Sequence, residues 1–418
     1  MNDDKEIITG IDIGTTKIAV VIAEKTINEN IKILGIGQSP SNGLKRGVVV
    51  NISETVKSLS SAISEAEKQA DYIIKEALIG ITGDDVRGIN YSGVITINKN
   101  NNRQSGGQEI SSKDIGRVLE HAQSINLAPD RRILHVLTQE FKVDDRSGIK
   151  NPEGLSGHRL EAKVHLVTSA VNTEKDISTC MDKVGVEIIE FVLEPLASAY
   201  SVLDTNEREL GVVLIDIGGG TTDVIVYRDG GVRHAGAIPI GGTNITNDIA
   251  YGLQTTREQA EKLKCKYGSA KVALANPDED ITVKGTGGRE SKTISQNDLA
   301  SIIEPRMEEI FRLAKNEINK SNCKGENTFG IVLTGGGSKL KNIDDLAQDI
   351  FKQPIKIAKP NLNGGISEKV NNPRFSTAVG LVNYGMSNWE SIGYEDEGIR
   401  SIFHNYFMEI KKIFNRWY

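Results

Sequence analysis

The sequence predicts an α/β protein built from two similar halves with a ligand cleft between them, and three observations lead there. The first is a loop that occurs twice, as Ile11-Asp12-Ile13-Gly14-Thr15-Thr16-Lys17 near the start and as Ile215-Asp216-Ile217-Gly218-Gly219-Gly220-Thr221-Thr222-Asp223 in mid-chain. The second is its setting. Each copy lies between apolar, β-rich runs (7–13 and 18–23, then 212–217 and 224–227), which reads as a hairpin whose turn is made of Gly and Thr. The third is a buried strand over 329–334 that ends in another Gly-rich stretch, Gly335-Gly336-Gly337-Ser338. Glycines let backbone N–H groups close on an anion with no Cβ in the way. Thr hydroxyls add donors, and an Asp at a strand end can hold a metal ion through water. Two such loops, with an Asp in each, describe two half-sites closing on one polyphosphate.

The bulk numbers agree with such a protein. A chain of 418 residues is too long for one core and suggests two domains, each subdivided. Charged residues at 25% and hydrophobic ones at 38% are ordinary for a soluble globular chain. A formal net charge of −6 gives no reason to expect nucleic-acid binding, whose footprint is basic. The three cysteines, Cys180, Cys265 and Cys323, are far apart and show no C-x-x-C spacing. A disulfide framework or zinc site is therefore not expected, and a reducing cytoplasm fits best. The acidic start, Met1-Asn2-Asp3-Asp4-Lys5-Glu6, precedes only a short apolar strand and does not read as a signal peptide. No window approaches the roughly 20 apolar residues of a spanning helix.

Taken in order, the first half (1–83) opens with the hairpin and continues through strands over 31–38 and 47–50. A helix over 53–70 follows, with Ser53-Glu54 resembling an N-cap and an acidic first turn, and then a strand over 77–82. Residues 84–165 change character: a strand over 92–97, a Gly/Asn/Ser-rich turn over 98–107, a helix over 112–125, and strands over 133–143 and 160–166. That is a small α+β insert in a larger domain. The α/β pattern resumes at Thr168 with a strand, a helix over 173–184, a strand over 188–192 and a helix from Glu194, completing the first half at 166–200. The second half (201–386) holds the second loop and Ile238-Pro239-Ile240-Gly241-Gly242. A helix over 247–267, polar loop and short strands over 277–293 and a long amphipathic helix over 297–321 follow, before the third Gly-rich stretch.

An acidic linker (387–398) leads to the last segment (399–418), where Ile399, Ile402, Phe403, Tyr406, Phe407, Ile410, Ile413, Phe414 and Trp417 recur with a 3.6-residue period. Arg400, Lys411, Lys412 and Arg416 stand against a single Glu409 on the other faces. A basic helix bearing large Ile, Phe and Trp side chains suits the headgroup–acyl boundary of an anionic bilayer. Docking on the protein's own surface or on a partner helix is the plainer use of such a face, but the cationic flank adds nothing to ordinary core packing.

Asp-x-Gly-Thr-Thr, Asp-x-Gly-Gly-Gly-Thr-Thr-Asp and Thr-Gly-Gly-Gly, in this order, resemble the actin-like ATPase superfamily, over about residues 6–386. The fold implied is a pair of actin-like (ribonuclease H-like) domains around a nucleotide cleft. The resemblance assigns Gly14, Thr15, Thr16 and Lys17 to the first phosphate loop, and Gly218, Gly219, Gly220, Thr221 and Thr222 to the second. Asp12 and Asp216 match carboxylates that position Mg²⁺ through water. Gly241 and Gly242 join the nucleotide site, and Gly335, Gly336, Gly337 and Ser338 match the adenosine loop. Glu261 and Lys264 match a pair that reaches the ribose, although Glu-x-x-Lys is also the spacing of an ordinary surface ion pair. Glu194 matches the catalytic residue that orients attacking water; with Pro195 beside it, it also suits the first turn of a helix. Lys262, Lys264, Lys266 and Lys271 read as a solvated face, or more sharply as a dock for an acidic peptide.

Within the superfamily the insert, its end at Gly157-His158-Arg159-Leu160-Glu161-Ala162-Lys163-Val164-His165-Leu166, and the amphipathic tail resemble the FtsA family of bacterial division proteins. That implies ATP and Mg²⁺ as cofactors, at most weak ATPase activity, and self-assembly into filaments. It also implies an anionic membrane surface and other division proteins as partners, and a place on the cytoplasmic side of the membrane at the septum. The FtsZ C-terminal peptide would dock on the smaller subdomain, about 245–325. A small-molecule kinase would need an acceptor-binding motif, which is not found. A chaperone would need a substrate domain after the ATPase. A pilus-assembly actin relative is the nearest competitor and is not expected to carry the tail.

Overall fold

The computed structural model describes residues 6–26, 31–97, 107–285, 290–321, 323, 329–361 and 365–388. The first sheet begins with an antiparallel meander, β1 (Ile7–Ile13), β2 (Lys17–Lys25) and β3 (Ile31–Pro40). A short ribbon, β4 (Leu44–Lys45) and β5 (Val48–Val49), leads to α1 (Ile52–Ala70). The cap of α1 is Asn51, not Ser53: the Asn51 side chain accepts the N–H of Glu54, three residues on, which is the reach an N-cap needs. β6 (Glu76–Ile81) then pairs parallel to β1.

The insert follows as β7 (Arg87–Thr96), β8 (Gln108–Glu109), α2 (Ser112–Gln123), β9 (Arg131–Val143), β10 (Arg146–Ile149), β11 (Ser156–Gly157) and β12 (Arg159–Ala170). Its four-stranded sheet has the order β10-β9-β12-β7 and closes a separate core with α2 through Val118, Leu119, Phe141 and Leu160. The strand expected to open at Thr168 is the end of β12. Residues 159–170 contain no turn signal, and β12 is paired along its length with β7 on one side and β9 on the other. The chain returns through α3 (Val171–Val184), β13 (Glu187–Leu193), α4 (Glu194–Val202) and α5 (Thr205–Leu210).

The second sheet comprises β14 (Val212–Ile217), β15 (Thr222–Arg228), β16 (Gly231–Ile238), β19 (Ile331–Thr334) and β20 (Ile355–Ile357). Its order, β20-β19-β14-β15-β16, reproduces that of the first, β13-β6-β1-β2-β3: an antiparallel meander with two parallel strands added beside its first member. This is the duplication the repeated loop predicts. Between β16 and β19 lie α6 (Gly242–Leu253), α7 (Arg257–Tyr267), the ribbon β17 (Asp280–Val283) and β18 (Lys292–Ser295), and α8 (Gln296–Lys320). The single helix expected over 247–267 is two helices. Gln254 closes α6 in the left-handed region, and the Thr256 hydroxyl caps α7 by accepting the Gln259 N–H. α9 (Ile343–Phe351) and β20, between the Gly-rich stretch and the last helix, have no counterpart in the sequence reading.

α10 (Ser376–Ser387) crosses back to the first half and packs on α4 and β1. A Cβ at Gly380 would collide with the Ala197 carbonyl, so the two helices meet backbone to backbone there. Gly380→Ala is expected to cost about 1–3 kcal/mol of stability, read as a lowered urea midpoint with unchanged slope. Among the described residues no helix is long and apolar enough to cross a membrane. The tail over 399–418 lies outside the described residues.

Candidate functional site

The two meanders face each other across the cleft. Asp12 and Asp216 each occupy the next-to-last position of the first strand of their hairpin, pairing with Ala19 and Asp223, so the loops repeat in three dimensions as they do in sequence. The turns are in contact. A Cβ added at Gly219 would run into the Thr16 side chain, and one at Gly220 into Thr15. The Thr15 hydroxyl accepts the Gly47 N–H at 3.0 Å, which fixes the first loop against the β4–β5 ribbon. The second loop is braced from behind: the N–H groups of Gly242 and Thr243 donate to the carbonyls of Gly218 and Gly219 at 2.9 and 2.8 Å.

The third loop leaves β19 beside β14. Gly335 has φ +83°, and any side chain there would strike the Asp216 carboxylate, so glycine is required twice over. Gly336 and Gly337 continue the turn. Ser338 is turned inward, its buried hydroxyl donating to the Gly335 carbonyl at 2.8 Å.

Four carboxylates meet a single ammonium group here. Lys17 Nζ donates to Asp12 Oδ2 at 3.0 Å and sits 5.3 Å from the centroid of the Phe375 ring. Asp216 accepts Ser198 Oγ at 2.6 Å and Thr377 Oγ1 at 3.4 Å. Asp223 accepts the Thr82 hydroxyl, a bond that joins the two halves, and Thr221 Oγ1 at 3.4 Å. Glu194 opens α4. Burial pushes the Asp216 pKa up to about 6, with Asp12 adding to it. Burial and the neighbouring Asp216 push Asp223 up to about 8. Glu194 rises well above the usual range, through burial first and then through Asp12, Asp223 and Asp216. Among the described residues these four carboxylates outnumber Lys17, the cation beside them.

The donor set fits one kind of cation. Among the described residues no three His, Cys, Asp or Glu side chains converge closely enough to hold a metal ion by themselves. Mg²⁺ commonly keeps several waters and takes phosphate oxygens as ligands, so carboxylates one water away suffice. Asp12 and Asp216 stand one in each hairpin beside the facing Gly/Thr loops, so the residues present fit a cation held through water.

At the rim, the Glu261–Lys264 pair on α7 is more than a solvated ion pair. Lys264 Nζ donates to the Gly242 carbonyl at 3.0 Å, to Thr246 Oγ1 at 2.8 Å and to Glu261 Oε2 at 2.7 Å, tying α7 to the start of α6. Burial works to raise the Glu261 pKa, but Lys264 and the Thr246 hydroxyl outweigh it and hold the carboxyl below its usual range. Lys262 behaves differently: it pairs with Glu258 in solvent, and Lys271 pairs with Asp349.

Sequence reasoning passed over Thr82, Ser198, Asp223 and Thr377 as site residues. Asp223 was visible as the last letter of the second loop motif. Ser198 and Thr377 are small hydroxyl residues in two largely buried helices, and nothing local shows that both face Asp216.

A family profile described as "Cell division protein FtsA" matches residues 213–380, and one described as "SHS2 domain inserted in FTSA" matches 83–168. A cell division protein FtsA of Pseudomonas aeruginosa is 43% identical over 381 residues, covering 91% of this chain and 89% of that protein. Among solved structures, the PilM–PilN type IV pilus biogenesis complex superposes with a TM-score of 0.64 at 16% identity, over 91% of this chain and 98% of the other. MreB5 of Spiroplasma citri bound to AMPPNP gives 0.55 at 14%, over 92% and 98%. The two structural likenesses bear on the fold, which is actin-like.

Proposed function

The chain belongs to the FtsA family of cell division proteins, and from there we propose that it binds Mg-ATP in the cleft, assembles into filaments and ties the FtsZ ring to the cytoplasmic face of the membrane. The observation that carries the nucleotide part is the contact of the two Gly/Thr loops in front of Asp12 and Asp216.

In this reading backbone N–H groups of 14–16 and 219–221, the hydroxyls of Thr15, Thr16 and Thr221, and Lys17 would hold the phosphates. The Thr222 hydroxyl expected among them instead donates to the Ile240 carbonyl, and the Gly218 N–H to the Thr221 carbonyl, both bracing the loop itself. Asp12 and Asp216 would hold Mg²⁺ through water, and the ion would supply positive charge beside the four carboxylates. Gly241 and Gly242 support the second loop, and Glu261 would receive the ribose, steadied by Lys264, whose three ammonium hydrogens go to Gly242, Thr246 and Glu261. The turn from Gly335 to Ser338 would receive the adenosine. Glu194, at the start of α4, would orient a water and accept its proton.

The basic, amphipathic 399–418 segment supplies the membrane contact, and the subdomain over about 245–325 receives the FtsZ C-terminal peptide. A pilus-assembly role shares the actin-like fold. It is less favoured, because it leaves the tail unexplained and the pilus likeness is only 16% in sequence.

The test is a three-component sedimentation with full-length chain, FtsZ and anionic vesicles in Mg-ATP. FtsZ should enter the pellet only when the chain is present, and FtsZ lacking its C-terminal peptide should stay in solution. FtsZ recovered equally with and without the chain would overturn the tether.

A further inference from the structure

Glu194 leaves directly from the end of β13, an outer strand of the first sheet. Leu193, the last residue of that strand, is also the N-cap of α4, with no side chain capping the helix. The buried Leu193 N–H finds its acceptor in another subdomain: it donates to Nε2 of His135, at 3.0 Å, from β9 of the insert sheet. His135 is 1% exposed, and burial lowers its pKa to about 4, so the ring is neutral. Accepting at Nε2 assigns its proton to Nδ1. Nδ1 faces Glu190 Oε1 at 4.0 Å, and the same oxygen accepts the Tyr384 hydroxyl of α10 at 3.0 Å. The Tyr384 ring stands edge-on to the imidazole, centroids 6.5 Å apart. Insert, first sheet and α10 thus meet at one imidazole.

We infer that His135 is a positioning residue for Glu194, its Nε2 fixing the Leu193 amide plane and so the direction in which Glu194 enters the cleft. The inference rests on the reading of Glu194 as the water-orienting carboxylate. His135 works through the main chain and touches no reacting atom. A matching contact lies on the adjacent strand, where His165 Nε2 accepts the Ala235 N–H of β16 at 3.0 Å. The insert is therefore bonded to each half of the molecule through a buried histidine, and its seat on the first half and the geometry of the cleft form one linked state.

The test uses the full chain. His135→Phe keeps a flat ring without an acceptor, His135→Met is a second acceptor-free variant should the first not fold, and His135→Gln restores an acceptor in its amide oxygen. Hydrogen exchange at the Leu193 amide with Mg-AMPPNP, Mg-ATP turnover and Mg-ATP affinity are read for each. The acceptor-free variants should exchange faster at Leu193 and turn over on the order of tenfold more slowly, with affinity kept within about threefold; Gln should recover most of both losses. Unchanged exchange at Leu193 in those variants would overturn the inference, as would affinity falling as far as turnover. Absence of turnover in the unaltered chain would instead overturn the role of Glu194, and the exchange difference would tell that failure from the first.

Discussion

A chain lacking residues 399–418 is expected to stay in the supernatant with anionic vesicles while binding Mg-ATP as the full chain does. The reason is additive weak energy. Each of Arg400, Lys411, Lys412 and Arg416 is worth roughly 1 kcal/mol near an anionic surface, and each large apolar side chain that buries fully adds roughly 1.5–3 kcal/mol. Ordering the helix takes back much of that sum. What is left gives reversible binding by one copy and firm binding by a filament that presents many tails. Binding should weaken at high salt, because the charged part acts over a Debye length of about 8–10 Å. Neutral vesicles should retain less protein than anionic ones. Sedimentation that survives the deletion would defeat the tail assignment, and loss of nucleotide binding with it would mean the segment belongs to the fold.

Asp216→Ala is expected to weaken Mg-ATP binding on the order of 10- to 100-fold, the usual cost of losing a group that orients a metal ligand. A fluorescent-nucleotide titration reads it directly, and unchanged affinity would move the metal role elsewhere. The same residue predicts a pH dependence. Burial raises its pKa from 3.8 to about 6, against the pull of Ser198, Thr377 and Lys17. The folded, ligand-free chain holds this proton more tightly than the unfolded chain does. The stability it contributes is therefore full below about pH 4 and is lost as pH climbs through about 6. Asp216→Asn should flatten the fall in melting temperature across that window. Mg-ATP affinity of the unaltered chain should run the other way and rise across it, because the ionised carboxylate is the form that holds a metal-bound water.

How much of the site was legible depended on whether neighbours in space were neighbours in sequence. Both phosphate loops, with Asp12 and Asp216, are single hairpins whose strands and turn lie within a few residues of each other, so the motif carries the geometry. Glu261 and Lys264 were legible as a helical pair, but not the bonds that tie Lys264 to Gly242 and Thr246 across the gap between α6 and α7. That gap was itself missed, because Gln254 in the left-handed region is a backbone fact with no strong residue signature. β20 was missed because it spans only Ile355–Ile357, too short for periodicity to register, whereas the apolar spacing of Ile343, Leu346, Ala347 and Phe351 in α9 was there to be read.

By itself the sequence determined the duplicated α/β architecture, the pair of Gly/Thr hairpin turns, the insert and the amphipathic spacing over 399–418, because each is written in local residue types and their spacing. Only the tertiary structure decided what surrounds the carboxylates. Ser198 and Thr377 lie 179 positions apart, yet both face Asp216. Thr82 reaches Asp223 across 141, and His135 meets the amide beside Glu194 across 58. A buried charge or donor must find a partner somewhere in the fold, and which residue answers it is set by how the two halves and the insert pack, not by any run of neighbouring residues.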